Sequence, residues 1–199
     1  MFVTFEGLDG SGKSTQAELL EEHLRGLGRE VVLTREPGGT PLGERVRELV
    51  LLGPDEVSPW AEAALFAAAR AELVARVIRP ALERGDDVIC DRYVDSSLAY
   101  QGIARGLGLE RVLSLNRPAI GDLLPDRTFL LLVDPEVAGA RSGRDPDRIE
   151  REGSEFRARV DQAYRELAEA FPERVVALDG SQSEAEIAMV IGEQVRELS

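Results

Sequence analysis

The sequence predicts a three-layer α/β fold, in which helices cover both faces of a five-stranded, mostly parallel sheet. Two observations lead to this fold class. Short, almost continuously apolar runs recur along the chain, as is typical of strands buried on both faces, and segments of helical length separate them. The chain has 199 residues, of which 43% are hydrophobic, so it suits one domain with its own core. We therefore expect a single domain over residues 1–199, with ligands at the carboxyl ends of the strands.

The first predicted element is a strand over residues 2–6, "FVTFE", and a glycine-rich turn follows it. Residues 13–27 then carry apolar side chains at helical spacing, which predicts the first helix. Similar apolar runs predict four more strands, at 30–34, 87–91, 128–134 and 174–179.

The composition narrows the possible partners. The formal net charge is −13 and the pI is about 4.6, whereas binding to a nucleic-acid backbone needs a basic surface. The single cysteine, Cys90, excludes an internal disulfide, and no apolar run approaches the ~18 residues of a membrane span. We expect a cytoplasmic protein with small-molecule partners and with neither nucleic acid nor membrane.

The strongest chemical signal is "GLDGSGKS", residues 7–14, which matches the phosphate-loop pattern G-x-x-x-x-G-K-[ST] between the first strand and the first helix. Its glycines let backbone N–H groups surround phosphate oxygens, and the helix start adds positive potential. Lys13, the only lysine in the chain, is expected to reach the terminal phosphates, and the Ser14 hydroxyl is expected to bind Mg²⁺. The predicted ATP contacts in this region are Gly7, Leu8, Asp9, Gly10, Ser11, Gly12, Lys13, Ser14 and Thr15.

Several functions share such a nucleotide site. A GTPase switch needs an N-K-x-D sequence to read guanine and a D-x-x-G sequence on a later strand, and the chain has neither. An ATP-driven machine usually needs more domains than 199 residues can form. The sequence therefore favours a small phosphotransferase.

Polar residues end the third predicted strand. Asp91 closes the apolar run "VICD", at a place where a carboxylate can hold Mg²⁺ through water. Arg92 follows, and we expect it to bind a phosphate. An ion pair between Arg92 and either Asp91 or Asp95 is the alternative.

The stretch "FAAAR", residues 66–70, places Phe66 and Arg70 on one face of a predicted helix. A nucleobase can stack on an aromatic ring and accept a hydrogen bond from a guanidinium, so the pair suits a base-binding site. Packing of Phe66 in the core is the alternative.

The stretch "RSGRDPDRIER", residues 141–151, gathers four arginines in an acidic chain. Gly143 and Pro146 would interrupt a helix there. The cluster is either a solvated charged face or a segment that binds an anion.

The segments "FEGLDGSGKST", "TREPGGTPLGE", "FAAAR", "DRYVDSSLAYQG" and "DPDRIE" together resemble the bacterial thymidylate kinases, in order and over nearly the whole chain. The resemblance implies the P-loop nucleoside-monophosphate-kinase fold and in-line phosphoryl transfer from ATP to dTMP, with Mg²⁺ as cofactor. It also implies a homodimer with Trp60 at the interface. Burial of Trp60 within one chain is the alternative.

The resemblance implies roles for individual residues. Phe66 would stack on thymine, and Arg70 would donate to its 4-carbonyl. Asp9 would hold the 3′-hydroxyl, and Tyr100 would crowd the 2′ position. The other implied substrate contacts are Ser97 and Gln101 near the base and sugar and Arg92, Arg47 and Glu36 near the acceptor phosphate, and the implied catalytic residues are Lys13, Asp9, Arg92 and Arg144.

One branch of the resembled family carries an arginine in the phosphate loop, at the position of Gly10 in this chain. In the other branch a lid after the fourth strand brings the basic residue, which implies a mobile lid at about 141–153. A lid arginine would stabilise the charge of the transferring phosphoryl group, and lid closure would exclude water. We expect Arg144 to make the main contact, with Arg141 and Arg148 as further contacts to ATP.

Two other functions remain open. The first is a related P-loop nucleotide kinase with a different monophosphate acceptor, which "FAAAR" and "DRY" disfavour. The second is an ATP-binding module without catalysis, which the presence of Lys13, Ser14 and Asp91 disfavours.

Overall fold

Parallel strands form one sheet within residues 1–53, 56–141 and 146–198, which are the residues that the structure, a computed structural model, describes. The strands are β1 (Phe2–Gly7), β2 (Val31–Arg35), β3 (Asp87–Asp91), β4 (Arg127–Leu132) and β5 (Val175–Asp179). Their order across the sheet is β2-β3-β1-β4-β5, and each neighbouring pair is parallel. The predicted fold class is confirmed, and each predicted strand is present within about two residues of its predicted ends.

Helices connect the strands and cover both faces of the sheet. They are α1 (Lys13–Gly26), α2 (Pro41–Leu51), α3 (Pro59–Leu73), α4 (Arg79–Arg84), α5 (Val94–Ser97), α6 (Leu109–Ile120), α7 (Pro135–Arg141), α8 (Ser154–Ala170) and α9 (Glu184–Arg196). π-helical turns at Val74–Ile78 and Leu98–Ala104 continue α3 and α5, and Glu150–Glu152 forms a 3₁₀ turn before α8. None of the helices described is long and apolar enough to cross a membrane.

The strands are apolar because both faces of the sheet are buried. On β1, Phe2 packs into a core that includes residues of α3, α6 and α8, whereas Val3 and Phe5 pack on the opposite face against α1 and α9. On β3, Cys90 is completely buried, as its apolar surroundings in the sequence predict. This alternation on doubly covered strands produces the three layers.

Local sequence signals set where several helices begin. The Thr40 side chain accepts a hydrogen bond from the Gly43 N–H at the start of α2, and Ser183 and Glu186 form a capping box at the start of α9. Pro59 lies in the first turn of α3, where its missing N–H costs no helical hydrogen bond.

Trp60 lies beside Pro59 in the first turn of α3, and 38% of its surface is exposed. The guanidinium of Arg111 lies 4.7 Å from the centre of its ring. The alternative prediction, burial of Trp60 within one chain, is therefore wrong.

The sheet register brings the predicted phosphate loop and the predicted metal ligand together. Phe5 on β1 pairs with Asp91 on β3, so the end of β3 lies beside the loop that follows β1. β3 and β4 flank β1 on opposite sides, which makes the carboxyl end of β1 a topological switch point where ligands bind in such folds.

Candidate active site

The loop between β1 and α1 has the geometry of a phosphate-binding loop. Gly10 and Gly12 have φ angles of 82° and 96°, in the left-handed region that favours glycine. A Cβ atom at Gly10 would lie 2.2 Å from the carbonyl oxygen of Ala138 on α7. Because α1 begins at Lys13, the free N–H groups and the positive end of this helix face the loop.

A cavity of about 760 Å³, which we call the phosphate cavity, opens at this loop. Gly7 and Leu8 are predicted ATP contacts that do not line it. The other predicted contacts of the loop, together with one lid arginine, do line it: Asp9, Gly10, Ser11, Gly12, Lys13, Ser14, Thr15 and Arg141.

Lys13 is buried, with 5% of its surface exposed. Its Nζ atom donates to the Leu8 carbonyl oxygen at 2.8 Å and lies 3.9 Å from the Asp9 carboxylate. Burial lowers the pKa of the ammonium group, and the charge of Arg92 lowers it further, while Asp9 and Asp91 oppose the shift. A bound phosphate would supply the negative charge that stabilises this desolvated cation.

The predicted metal ligands, Ser14 and Asp91, lie next to each other. The Ser14 hydroxyl donates to Asp91 Oδ2 at 2.6 Å, and both residues line the phosphate cavity. A hydroxyl and a carboxylate are the oxygen ligands that Mg²⁺ prefers. The described part of the chain has no cluster of three or more His, Cys, Asp or Glu that could hold a metal ion, so Mg²⁺ here would need phosphate and water oxygens as well.

Arg92 lies where the phosphate cavity meets a second pocket. Its φ angle is 69°, a value that side chains with a Cβ atom rarely adopt. The Nη2 atom donates to Asp9 Oδ1 at 2.9 Å, and the Nη1 atom donates to Ser96 Oγ at 3.2 Å and to the Tyr164 hydroxyl at 3.1 Å. Hydrogen bonds from both terminal nitrogen atoms therefore fix the orientation of the Arg92 guanidinium.

The alternative prediction for Arg92, an ion pair with Asp91 or Asp95, is wrong. Asp91 accepts the hydrogen bond from Ser14, and Asp95 pairs with Arg174 at 2.5 Å. The carboxylate partner of Arg92 comes instead from the phosphate loop, which lies close to β3 only in the folded sheet.

Glu6, which sequence analysis missed, organises the residues around Arg92. It lies on β1 with no exposed surface, and its carboxylate accepts hydrogen bonds from the Tyr93 N–H at 2.8 Å, Ser96 Oγ at 2.6 Å and the Tyr164 hydroxyl at 2.8 Å. Burial raises the pKa of Glu6. The available signal was a glutamate inside the apolar run "FVTFEG".

The second pocket, which we call the acceptor pocket, has a volume of about 70 Å³. Asp147 and Ile149, which sequence analysis did not predict as contacts, form part of its wall. All the predicted substrate contacts except Arg70 line it: Asp9, Glu36, Arg47, Phe66, Arg92, Ser97, Tyr100 and Gln101.

The acceptor pocket and the phosphate cavity share four lining residues. Arg47 is one of them, and its Nη1 atom donates to the Pro37 carbonyl oxygen at 3.0 Å. Both cavities therefore meet at a boundary that carries two cations and two carboxylates. The shared residues are Asp9, Glu36, Arg47 and Arg92.

Arg70 differs from its predicted place at the base, because it lies behind the acceptor pocket and is 1% exposed. The Nε and Nη2 atoms contact Glu36 Oε2 at 2.8 and 2.5 Å, and Nη2 also donates to the Tyr93 carbonyl oxygen at 3.0 Å. The Nη1 atom donates to Ser97 Oγ at 3.1 Å and to Asn116 Oδ1. Each of the three guanidinium nitrogen atoms of Arg70 thus already donates to a protein acceptor, whereas the prediction directed the guanidinium at the thymine 4-carbonyl.

Glu36 lines both cavities and is 4% exposed. Its Oε1 atom has no hydrogen-bond partner among the residues described. Burial raises the pKa of Glu36 to about 7, although the charge and hydrogen bond of Arg70 oppose the shift. This carboxyl group can therefore either accept or donate a hydrogen bond near neutral pH.

The arginines of 141–151 are separated in the structure. Arg141 ends α7 and lines the phosphate cavity, whereas Arg144 lies outside the described residues. Arg148, a predicted ATP contact, does not line that cavity and is 4% exposed. It pairs with Glu62 at 2.5 Å, because a buried carboxylate needs a cation. Arg151 is exposed and donates to a backbone carbonyl.

The phosphate cavity is also lined by residues that sequence analysis missed. They belong to the loop between β5 and α9 and to the first turns of α9. The available signal was a polar turn directly after the last strand, at the edge of the sheet where ligands bind. These residues are Gly180, Gln182, Ser183, Glu184 and Ile187.

A parallel sheet with a phosphate loop at its switch point, an adjacent carboxylate and a second pocket lined by arginines defines a P-loop phosphotransferase. Comparison of the chain with known proteins identifies its family. The family model described as "Thymidylate kinase" matches residues 5–191. The chain therefore belongs to the thymidylate kinase family.

Individual relatives agree with this assignment. The thymidylate kinase of Bifidobacterium longum strain DJO10A is 50% identical over 203 residues, and the match covers 100% of this chain and 98% of the relative. That of Deinococcus radiodurans is 48% identical over 199 residues, with coverage of 99% and 97%. The crystal structure of thymidylate kinase from Ehrlichia chaffeensis has a TM-score of 0.81 at 35% identity and covers 98% of both chains.

Replacing Lys13 with alanine should lower kcat by roughly 10²–10³-fold, because no other ammonium can stabilise the developing charge on the phosphates. The fold should remain, since the substitution removes a desolvated charge from the interior. Steady-state ADP release and thermal unfolding measure the two effects.

Arg25→Ala is the matched control, because Arg25 is a cation on the same helix with 60% of its side chain exposed. It should leave kcat unchanged. Near-normal turnover of a folded Lys13→Ala protein would contradict the assignment of this loop.

Proposed function

We infer that the protein transfers the terminal phosphoryl group of ATP to dTMP and releases ADP and dTDP. The observation that carries the inference is the boundary between the two cavities, where Arg47 and Arg92 line both. An acceptor phosphate bound by these arginines would lie next to the phosphates of a nucleotide bound at the loop. Such proximity is what direct transfer between two bound nucleotides requires.

We propose that Mg²⁺ binds at Ser14 and, through water, at Asp91. The support is that these two oxygen ligands pair with each other and both line the phosphate cavity. When bound, the ion would neutralise part of the negative charge on the phosphates. Lys13 would hold the terminal phosphates at the same end of the cavity.

The acceptor pocket supports dTMP as the acceptor. The Phe66 ring forms part of the pocket and would stack on thymine, while Ser97 and Gln101 supply polar groups around the base. Tyr100 would crowd the 2′ position, and Asp9 would hold the 3′-hydroxyl. A direct hydrogen bond from Arg70 to the 4-carbonyl would require the buried Arg70 guanidinium to become accessible from the acceptor pocket.

We propose that residues 141–153 act as a lid that brings positive charge to the transferring phosphoryl group. Arg141 already lines the phosphate cavity and donates to the Gly180 carbonyl oxygen at 3.3 Å. Arg144 remains the proposed main contact. Arg148 is not proposed as a phosphate contact, because it pairs with Glu62.

We also propose that the protein works as a homodimer in the cytoplasm. Trp60 is the proposed contact residue, because protein interfaces are enriched in aromatic side chains and this one is partly exposed on α3. The cytoplasm is the compartment that contains ATP and nucleoside monophosphates.

A coupled ADP-release assay with dTMP, dUMP, dGMP and AMP tests the function. We expect the highest kcat/KM with dTMP, about tenfold less with dUMP, which lacks one methyl group, and at least roughly 100-fold less with the purine nucleotides. ATP without an acceptor is the control for hydrolysis. Equal or better turnover of another nucleotide would indicate a different acceptor, and no turnover of any would indicate a silent binding module.

Replacing Arg141 with alanine should lower kcat and kcat/KM together, by roughly 100-fold, if its cation stabilises charge mainly in the transition state. Arg151→Ala is the control, because Arg151 belongs to the same cluster but lines neither cavity. Equal kinetics of the two variants in a steady-state assay would remove Arg141 from the mechanism.

A further inference from the structure

A buried carboxylate lies behind the acceptor pocket. Glu62 on α3 has no exposed surface. Its Oε1 atom accepts hydrogen bonds from Gln101 Nε2 at 2.8 Å and Arg105 Nε at 2.7 Å. Its Oε2 atom accepts hydrogen bonds from Arg105 Nη2 at 2.9 Å and Arg148 Nη2 at 2.5 Å. We call these four residues the Glu62 cluster.

The cluster keeps Glu62 ionised. Burial alone would raise the pKa of Glu62, but the hydrogen bonds from Arg105, Arg148 and Gln101 and the charge of Arg105 outweigh burial and lower it. Arg105 also pairs with Glu152 at 2.9 Å, so two cations face two carboxylates. Glu62 is therefore a permanent acceptor at neutral pH, and each partner must present a donor to it.

This requirement fixes the amide of Gln101. With Nε2 directed at Glu62, the carbonyl oxygen is the amide atom left for the acceptor pocket, which Gln101 lines. A flipped amide would bring its oxygen against the carboxylate and leave Nε2 without this acceptor. The pocket therefore presents a hydrogen-bond acceptor to its ligand at this position, and thymine carries a matching N–H at N3.

The same carboxylate anchors another wall of the pocket. Arg148 lies between Asp147 and Ile149, both of which line the acceptor pocket. Besides the bond to Glu62, the Arg148 side chain donates to the Val50 carbonyl oxygen at 2.8 Å. These two hydrogen bonds fix the buried side chain of Arg148, and this keeps Asp147 and Ile149 in the pocket wall.

We propose that Glu62 is a positioning residue of the acceptor pocket, which orients Gln101 as an acceptor and, through Arg148, holds the wall formed by Asp147 and Ile149. The proposal rests on the proposed function, because the ligand N–H that it concerns belongs to dTMP.

The test compares Glu62→Gln with the wild type for dTMP and for dTMP methylated at N3, which lacks the N–H. Glutamine keeps the shape but no longer accepts from every partner. We expect the KM for dTMP to rise about tenfold, with kcat and the KM for ATP changed by less than about twofold. The preference for dTMP over the methylated analogue should also fall about tenfold, because Gln101 loses its fixed orientation.

Glu72→Gln is the matched control, because Glu72 lies on the same helix and pairs with the exposed Arg76. It should change none of these constants. A purely structural role of Glu62 would lower stability and kcat without changing the preference between the two acceptors. That outcome, or an unchanged preference, would overturn the proposal.

Arg148→Gln keeps the proposal testable if Glu62→Gln does not fold. This variant should raise the KM for dTMP about tenfold through the displaced wall, while the preference against the methylated analogue remains, since Glu62 still holds Gln101. A rise in the KM for ATP alone would overturn the proposal and return Arg148 to the ATP site. Failure of the wild type to phosphorylate dTMP would instead contradict the proposed function.

Discussion

The ion pair between Asp9 and Arg92, with 2.9 Å between its atoms, is the contact on which the rest of the site depends. Asp9 belongs to the phosphate loop, and Arg92 follows the neighbouring strand β3. The pair lies at the boundary of both cavities, so it fixes the position of a cation between the donor and acceptor phosphates. Glu6 supports the ion pair indirectly. Ser96 and Tyr164 accept the other hydrogen bonds of Arg92, and both donate to the Glu6 carboxylate.

Buried carboxylates organise the acceptor side of the molecule. Glu6, Glu36 and Glu62 are each at most 4% exposed, and each contacts groups that form or support the acceptor pocket. Leaving such a group without a partner would cost several kcal/mol, so arginines and hydroxyl groups must lie in defined positions around it. The resulting network holds the side chains of Arg70, Ser96 and Gln101 in place before a ligand arrives, which lowers the entropic cost of binding.

The elements and the phosphate loop were predictable because their signals are local. Apolar runs identified each of the five strands formed by the residues that the structure describes. The glycines of the phosphate loop, Lys13 and Ser14 stand within eight residues of each other. The places of Arg70 and Arg148 were not predictable, because their partners come from distant parts of the chain. Asn116 is 46 residues from Arg70, and Glu62 is 86 residues from Arg148. Only the packing of α3 against its neighbours decides which arginine faces a ligand and which faces a buried acceptor.

The central claim is that one active site spans the phosphate cavity and the acceptor pocket. An inhibition study with a bisubstrate ligand, in which a chain of phosphates joins adenosine to thymidine, tests it most directly. The ligand should compete with both ATP and dTMP and bind at least about 100-fold more tightly than either nucleotide, since both halves occupy adjoining cavities at once. Competition with only one of the two nucleotides would contradict the claim.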